Sequence, residues 1–471
     1  MAETRTPDDD PLFWSIEKLG KAYQARELSP VEVWDQARRR ADAFGGAMNV
    51  YVTRLDDLGL EQAKAAEAAF RSGTPPSPLC GIPVSIKDAF EVRGYPTTFG
   101  SLKYRDHVSA RDSATVARLR EAGAVLTGKT NTAEFGQSAT TDNLLGPDTT
   151  NAWDVRCTAG GSSGGAASSV AAGLATVALG SDGGGSIRIP AAFSGLFGIK
   201  PTFGLFEEPD NIVKAMSDFV CPGPLSRQVD DARRMLAVLS GTPIKRGKSN
   251  GNLRIAWCAA PEGRPVAPAV QKACTEALTV IAKAGFEIAE IEPPISDWQK
   301  IFGPLVLHEE LRERGRYLDD DVSEITGYEL ATLRAAAQVT AEDDADARAR
   351  LGEFRQRFDR FFEEVDVILS PTNAVAAFEI GQRPVKIDGR SVSALWGAFP
   401  FTAAYNVAGV PAASIPCGLA DGMPAGLQVV MARGRDAMLL DFCELLEQMF
   451  AFDHAPMRDA WRLPLRSGAL A

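Results

Sequence analysis

Histidine is scarce. The 471 residues hold three, His107, His308 and His454, and none stands in a motif that would pair it with a nucleophile, which weakens any Ser–His–Asp reading. Cysteine chemistry is equally thin. The seven cysteines (80, 157, 221, 258, 274, 417 and 443) are scattered and show no C-x-x-C. They offer neither a disulfide frame nor a metal knuckle and fit a reducing compartment. Positive charge is outweighed, with 50 Lys and Arg against 61 Asp and Glu and a net charge of −11. Together with the lack of a basic run, this argues against a nucleic-acid surface. Unbroken apolar runs are missing too. Of the two charge-free windows, 157–181 is crowded with Gly and Ser, and 391–420 is broken by Pro400, Pro411 and Pro416; neither reads as a spanning helix. The opening MAETRTPDDD lacks the apolar core of a secretory signal. These absences lead to the expectation of a soluble, cytoplasmic protein without metal or cofactor and with no nucleic-acid or membrane partner.

What the chain does have is glycine beside serine. Residues 159–192 read AGGSSGGAASSVAAGLATVALGSDGGGSIRIPAA, two glycine-cradled serine clusters separated by a charge-free, small-residue segment. Glycine costs backbone entropy, so such runs need a local reason. A linker would be polar and solvated. Residues 166–179 are mostly Ala, Val and Leu, and read as a buried helix running into a short strand. The serines therefore stand at the ends of packed elements, where a site would be built.

The rest alternates helix and strand. Residues 1–10 read as a frayed tail. Ser29, Pro30 and Glu32 form a helix start with N-cap, N1 proline and capping box. Val33, Trp34, Ala37, Ala41 and Phe44 follow at helical spacing, with Arg38–Arg40 largely on the wet side. Residues 63–70 continue helical. GIPVSIKD (81–88) is a short strand with Lys87 at its C-terminal end. Residues 113–122 are helix, Gly123 stops it, and 124–127 are strand, followed by a polar turn and short helix over GKTNTAEFG (128–136). Further strands are expected at 252–258, 286–291, 365–370 and 426–432, with helices at 268–284 and 438–450. Residues 297–364 are mostly helical and highly charged, with a solvated face over 341–364. The class is α/β, a large twisted mixed sheet with helices on both faces, in a single domain spanning 1–471 with a variable helical insertion or cap over 205–360.

Three chemistries compete for the serine clusters. A nucleotide loop needs G-x-x-x-x-G-K-[ST] or G-x-G-x-x-G in a βα turn, and neither occurs there. A hydrolase elbow fits GGSSGG, with Ser162 or Ser163 as nucleophile, but needs a strand just before it and a downstream Asp and His; AWDVRCTAG is a poor strand. The third reading needs no histidine. Gly183, Gly184 and Gly185 ahead of Ser186 offer successive backbone N–H groups for an oxyanion, with the N–H of Ser186 in the same ring. Ser186 then serves as nucleophile, Lys87 as base if burial leaves it a neutral amine, and Ser162 as a relay between them. The alternative for a lysine ending an apolar run is a snorkelling surface residue.

GGSSGG, the following GSDGGGSIRIPA and the preceding GIPVSIKD together resemble the amidase signature family. The resemblance extends through GKTNTAEFG, FGIKPTFG, SPT (370–372) and NVAGVPAASIPCG…DGMPAGLQVV (406–430), and leaves out roughly 205–360. It implies a Ser–cis-Ser–Lys triad of Ser186, Ser162 and Lys87, with a cis bond between Gly161 and Ser162. It also implies a buried ion pair between Asp182 and Arg188, and supporting hydroxyls from Ser163 and Ser181. Thr158–Ala159 departs from the Pro-Gly frequent in the family, and Gly183 from a larger residue; neither touches the triad. By family position Gly136, Gln137, Phe401 and Tyr405 are candidate pocket residues, with core packing as their alternative. The apolar, aromatic character of 394–405 suggests an uncharged or aryl substrate. The implied activity is cleavage of a C–N bond in a small amide, extending to an ester or carbamate through the same acyl-enzyme. The alternative is the amidase subunit of a tRNA-dependent amidotransferase, supplying ammonia to a partner.

Overall fold

The computed structural model describes residues 10–206, 216–247 and 253–461. Its strands in chain order are β1 (Tyr51–Arg54), β2 (Pro83–Lys87), β3 (Val125–Thr130), β4 (Val177–Asp182), β5 (Phe197–Lys200), β6 (Cys221–Ser226) and β7 (Ile255–Trp257). They continue with β8 (Ile288–Glu290), β9 (Val367–Pro371), β10 (Lys386–Ile387), β11 (Arg390–Ser391), β12 (Ala412–Ala420) and β13 (Met423–Met431). Eleven of them form one sheet in the order β1-β3-β2-β4-β6-β5-β12-β13-β9-β7-β8, while β10 and β11 pair separately. The pairings β3–β2–β4 and β9–β7–β8 are parallel; the centre, β4–β6–β5–β12–β13–β9, is antiparallel. This is a mixed α/β sheet flanked by helices, as the alternation of elements suggests.

Parallel pairing of β2 with β4, with Ile86 opposite Leu179, puts the C-terminal ends of both strands side by side. Lys87 ends one and Asp182 the other, and the glycine–serine turn follows directly. The short helix Gly164–Ala171 lies close against this end of the sheet. A Cβ on Gly165 would sit 2.6 Å from the Asn131 backbone and 2.9 Å from the Val50 carbonyl, so the small-residue composition is a condition of the approach.

Most elements follow the sequence pattern. Ser29 caps the helix Pro30–Met48 with both halves of the capping box present. Arg40 of that helix and Asp10 of the expected tail differ from expectation. Arg40 is 2% exposed, is paired with Asp10 and donates to the Gly173 carbonyl at 3.4 Å. Asp10 also accepts from the Leu12 N–H at 3.1 Å, so its position is fixed; the rest of the expected tail lies outside the described residues. GKTNTAEFG begins as strand, since β3 runs on to Thr130.

The 205–360 stretch is only partly helical. β6 lies in the middle of the sheet and β7 and β8 form its far edge, and Val229–Ser240 is a helix packed beneath. The helical part comprises Gln299–Arg314, Gly327–Ala336 and Ala341–Glu364. The last has the expected solvated face, but buries Ala347, Leu351, Phe354 and Phe358 against Tyr405 and Val407. β12 is a nine-residue strand despite Pro416, because the register shifts between Pro416 and Gly418 and the bulge absorbs the residue that cannot donate.

Candidate active site

Lys87 is 1% exposed. Its Nζ lies 2.7 Å from Ser162 Oγ, 2.9 Å from Ser181 Oγ and 3.4 Å from the Ser181 carbonyl. Burial drives its ammonium down from 10.5 to about 7, with the Asp182 charge acting in the opposite sense. No carboxylate touches it among the described residues. Lys129, also buried, differs: its Nζ is 2.5 Å from Asp88 Oδ1 and 2.8 Å from Thr97 Oγ1. Lys129 thus has a counter-ion and Lys87 has hydroxyls.

Ser162 follows a cis bond, Gly161–Ser162, and is buried. The next residue ties its loop to the second cluster: the Ser163 N–H donates to the Ser186 carbonyl at 3.2 Å, and Ser163 Oγ to the Ser181 carbonyl at 3.2 Å. Ser186 is half-buried and lines a cavity. Its backbone is therefore held beside the Ser162 loop, while its hydroxyl is hydrogen-bonded to no described residue and opens on the cavity.

The turn carrying Ser186 is braced from behind. Asp182 and Arg188 are both fully buried and meet in a two-pronged pair, with Nε to Oδ2 and Nη2 to Oδ1 each at 2.9 Å. Arg188 also donates to the Thr402 carbonyl at 3.0 Å and Gln428 Oε1 at 2.8 Å. Asn406 Nδ2 donates to the Asp182 carboxylate and carbonyl, each at 2.9 Å. Burial alone would raise the Asp182 carboxyl, but the Arg188 charge and these donors hold it far below the usual range. The pair expected from the resemblance is present; Thr402, Asn406 and Gln428 are partners that sequence reasoning missed.

The same carboxylate changes the expected ring of N–H donors. Gly185 N–H is bonded to Asp182 Oδ1 at 2.7 Å and is not available to an oxyanion. The N–H groups of Gly183, Gly184 and Ser186 meet no acceptor among the described residues. Gly185 has φ +132°, and a Cβ there would collide with Thr402 Oγ1, which donates to the Gly184 carbonyl at 2.6 Å. Position 185 requires glycine for shape.

The cavity over Ser186 has a volume of about 630 Å³, the size of a small-molecule site. Gly136 and Gln137 line it; a Cβ on Gly136 would stand 3.4 Å from Ser162 Oγ. Phe401 and Tyr405 do not line it. Phe401 is 1% exposed within the core over β12 and β13, and Tyr405 is fully buried against Phe358. Their neighbours Phe399, Pro400 and Ala403 face the cavity in their place, with Trp396. The opposite wall is Trp298, Phe302, Val306 and Leu307, from the helix Gln299–Arg314 and the residue before it, where the sequence carried no motif.

The amidase family profile matches residues 32–440. The chain is 34% identical over 454 residues to an acylamidase of Rhodococcus erythropolis, covering 91% of this chain and 94% of that protein. It is 31% identical to one subunit of the glutamyl-tRNA(Gln) amidotransferase of Carboxydothermus hydrogenoformans, covering 94% of this chain and 98% of that one. A solved amidase structure superposes with a TM-score of 0.86 at 30% identity, covering 93% of this chain and all of the other. The chain belongs to the amidase signature family of Ser–cis-Ser–Lys amidohydrolases. It is a hydrolase of carbon–nitrogen bonds other than peptide bonds. Among the described residues no helix is long and apolar enough to cross a membrane.

Proposed function

We propose that the protein hydrolyses a small, uncharged or aryl amide through an acyl-enzyme on Ser186, with Lys87 as base and Ser162 as the relay. The observation that carries this reading is the Lys87 amine, buried with no carboxylate of the described residues against it and 2.7 Å from Ser162 Oγ. As a neutral amine it has two N–H groups and one lone pair. Ser181 Oγ and the Ser181 carbonyl accept the two N–H groups, which leaves the lone pair to the Ser162 hydroxyl. Lys87 takes the Ser162 proton, Ser162 takes that of Ser186, and Ser186 Oγ attacks the acyl carbon. The N–H groups of Gly183, Gly184 and Ser186 receive the oxyanion, each donor being worth about 3–4 kcal/mol in a comparable protease. Ser162 returns a proton to the leaving nitrogen, and water then frees the acyl group. The same acyl-enzyme serves an ester or carbamate.

The apolar cavity wall favours an aryl or alkyl group beside the scissile bond, and the acylamidase relative supports that class. The amidotransferase relative favours a second reading, ammonia supply from glutamine to a partner. Glutamine carries an ammonium and a carboxylate. Among the described residues the charged side chains lining the cavity are Arg264 and Arg390, and no acidic one of them answers the ammonium. On the first reading the helical part of 205–360 is the substrate-selecting cap.

The test is turnover of an acyl 4-nitroanilide by the purified single chain. Ser186→Ala lowers kcat by at least about a thousandfold with an unchanged melting curve, and mass spectrometry finds the acyl group on the Ser186 peptide of the wild-type protein. Near-native turnover by the variant would overturn the nucleophile. Glutamine-dependent ammonia release that needs a partner protein, without anilide turnover, would favour the second reading.

A further inference from the structure

Behind the cavity wall lies a charged cluster that the mechanism does not use. Glu310 and Glu329 are fully buried and Arg314 is 6% exposed. Arg314 grips Glu310 with both prongs, Nε to Oε2 at 2.6 Å and Nη2 to Oε1 at 2.5 Å. Its guanidinium lies over the Phe135 ring at 4.5 Å, and its Nε is 3.6 Å from Glu329 Oε1. Neither oxygen of Glu329 has a hydrogen-bond partner among the described residues. Burial and the Glu310 charge push the Glu329 carboxyl well up; burial raises Glu310 as well, but the Arg314 charge and hydrogen bonds from Arg314 and Gln137 oppose it there, so Glu310 is the carboxyl that Arg314 holds.

The cluster reaches the cavity through Gln137. Gln137 Nε2 donates to Glu310 Oε1. A carboxylate whose two oxygens already accept guanidinium N–H groups has no proton to give, so the carboxamide stands with nitrogen inward and oxygen outward. No described donor is bonded to Gln137 Oε1, and it is not among the buried polar atoms without a partner; the surface it keeps opens on the cavity that Gln137 lines. The adjoining Gly136 lies against Ser162 Oγ, the side from which the leaving nitrogen is protonated.

The geometry points to Gln137 Oε1 as the acceptor for the N–H of the scissile amide, with Glu310 as the positioning residue that fixes its sense. The inference rests on the proposed acyl-enzyme reaction and narrows its substrate: primary and secondary amides satisfy the acceptor, while esters and tertiary amides leave it facing an oxygen or a methyl group. An unmet acceptor in a closed site loses the hydrogen bond and keeps its desolvation cost.

The experiment compares kcat/KM for three probes of one acyl group: the 4-nitroanilide, its N-methyl counterpart and the 4-nitrophenyl ester. All three give the same acyl-enzyme, so their differences report acylation alone. Gln137→Met keeps length and removes the acceptor; it is expected to lower the anilide-to-ester ratio by about threefold to tenfold and to shrink the N-methyl penalty. Glu310→Gln can both donate and accept, which frees the Gln137 carboxamide to turn, and the ratio is expected to move the same way. The N-methyl comparison on wild-type protein and the Gln137→Met arm stand even where Glu310→Gln does not fold. Ratios unchanged in Gln137→Met would overturn the inference while leaving the acyl-enzyme reading in place. A wild-type protein that turns over none of the probes, or Ser186→Ala that turns over all of them, would overturn that reading and this inference together.

Discussion

Replacing Lys87 with methionine isolates the amine, because length and apolar stem are kept and the titrating group is lost. The fall from 10.5 to about 7, at 1.36 kcal/mol for each pH unit, amounts to about 5 kcal/mol of preference for the neutral form in the folded state. At pH 7 about half of the Lys87 amines are then unprotonated, against roughly one in three thousand for an ordinary lysine. Wild-type kcat/KM for an anilide should rise about tenfold per pH unit below 7 and level off above it, as expected of a general base, and Lys87→Met should lose turnover at every pH. Stability gives an independent readout. Between about 7 and 10.5 the unfolded lysine holds a proton that the folded one does not, so stability rises with pH across that window and the full penalty remains below it. The wild-type protein should therefore gain about 3–5 kcal/mol on Lys87→Met between pH 7 and pH 10, read by urea melts at matched ionic strength. A gap that stays constant with pH, or an activity limb centred near 10, would refute a buried neutral amine.

Asp182→Asn leaves the Arg188 guanidinium buried without a counter-charge, and should cost about 3–5 kcal/mol in chemical denaturation; a loss under 1 kcal/mol would mean that the pair is dispensable. Phe401→Ala should destabilise by about 3–5 kcal/mol as a core truncation with little change in KM, whereas Phe302→Ala should raise KM for an aryl amide at nearly unchanged melting temperature. The reverse pattern would return Phe401 to the pocket. Gly185→Ala meets both a φ of +132° and the Thr402 hydroxyl, so kcat and stability should fall together, by about 1–3 kcal/mol in stability; a variant with native kcat would show that the turn tolerates a side chain.

The site was more legible in the sequence than the walls around it, and the reason is geometric. Where a backbone must pass close to another, only glycine fits, as at Gly165 against Asn131 and Gly185 against Thr402, so the chemistry leaves a mark in residue type. A cavity wall imposes no such condition. Phe302 and Val306 on Gln299–Arg314 read as ordinary apolar positions, and any bulky residue could line the space. Phe401 and Tyr405 show the converse. The segment is aromatic, but which of its side chains turn to the cavity depends on the short helix Ala403–Ala408, and a shift of a residue or two sends Phe399 outward and Phe401 into the core. β12 escaped detection because Pro411 and Pro416 suggest loop, while the bulge that accommodates Pro416 is visible only once β13 is in register beside it.

Long-range pairing explains the remaining errors and the one assignment that composition could not make. Two lysines, 87 and 129, stand on neighbouring parallel strands with adjoining registers, Lys87 opposite Thr130 and Ile86 opposite Lys129. Both are buried, and burial lowers both. By proximity in the chain Asp88 should neutralise Lys87. Its carboxylate is turned away, to Lys129 and the Thr98 N–H at 3.0 Å, so the residue next in sequence supplies the counter-charge of Lys129 and leaves Lys87, the proposed base, with none among the described residues. Arg40 is the same lesson in reverse, since it reads as surface until Asp10 closes over it. Which of the two buried lysines keeps a counter-charge is therefore set by which way a single neighbouring carboxylate faces, a choice made by the sheet and not by the motif.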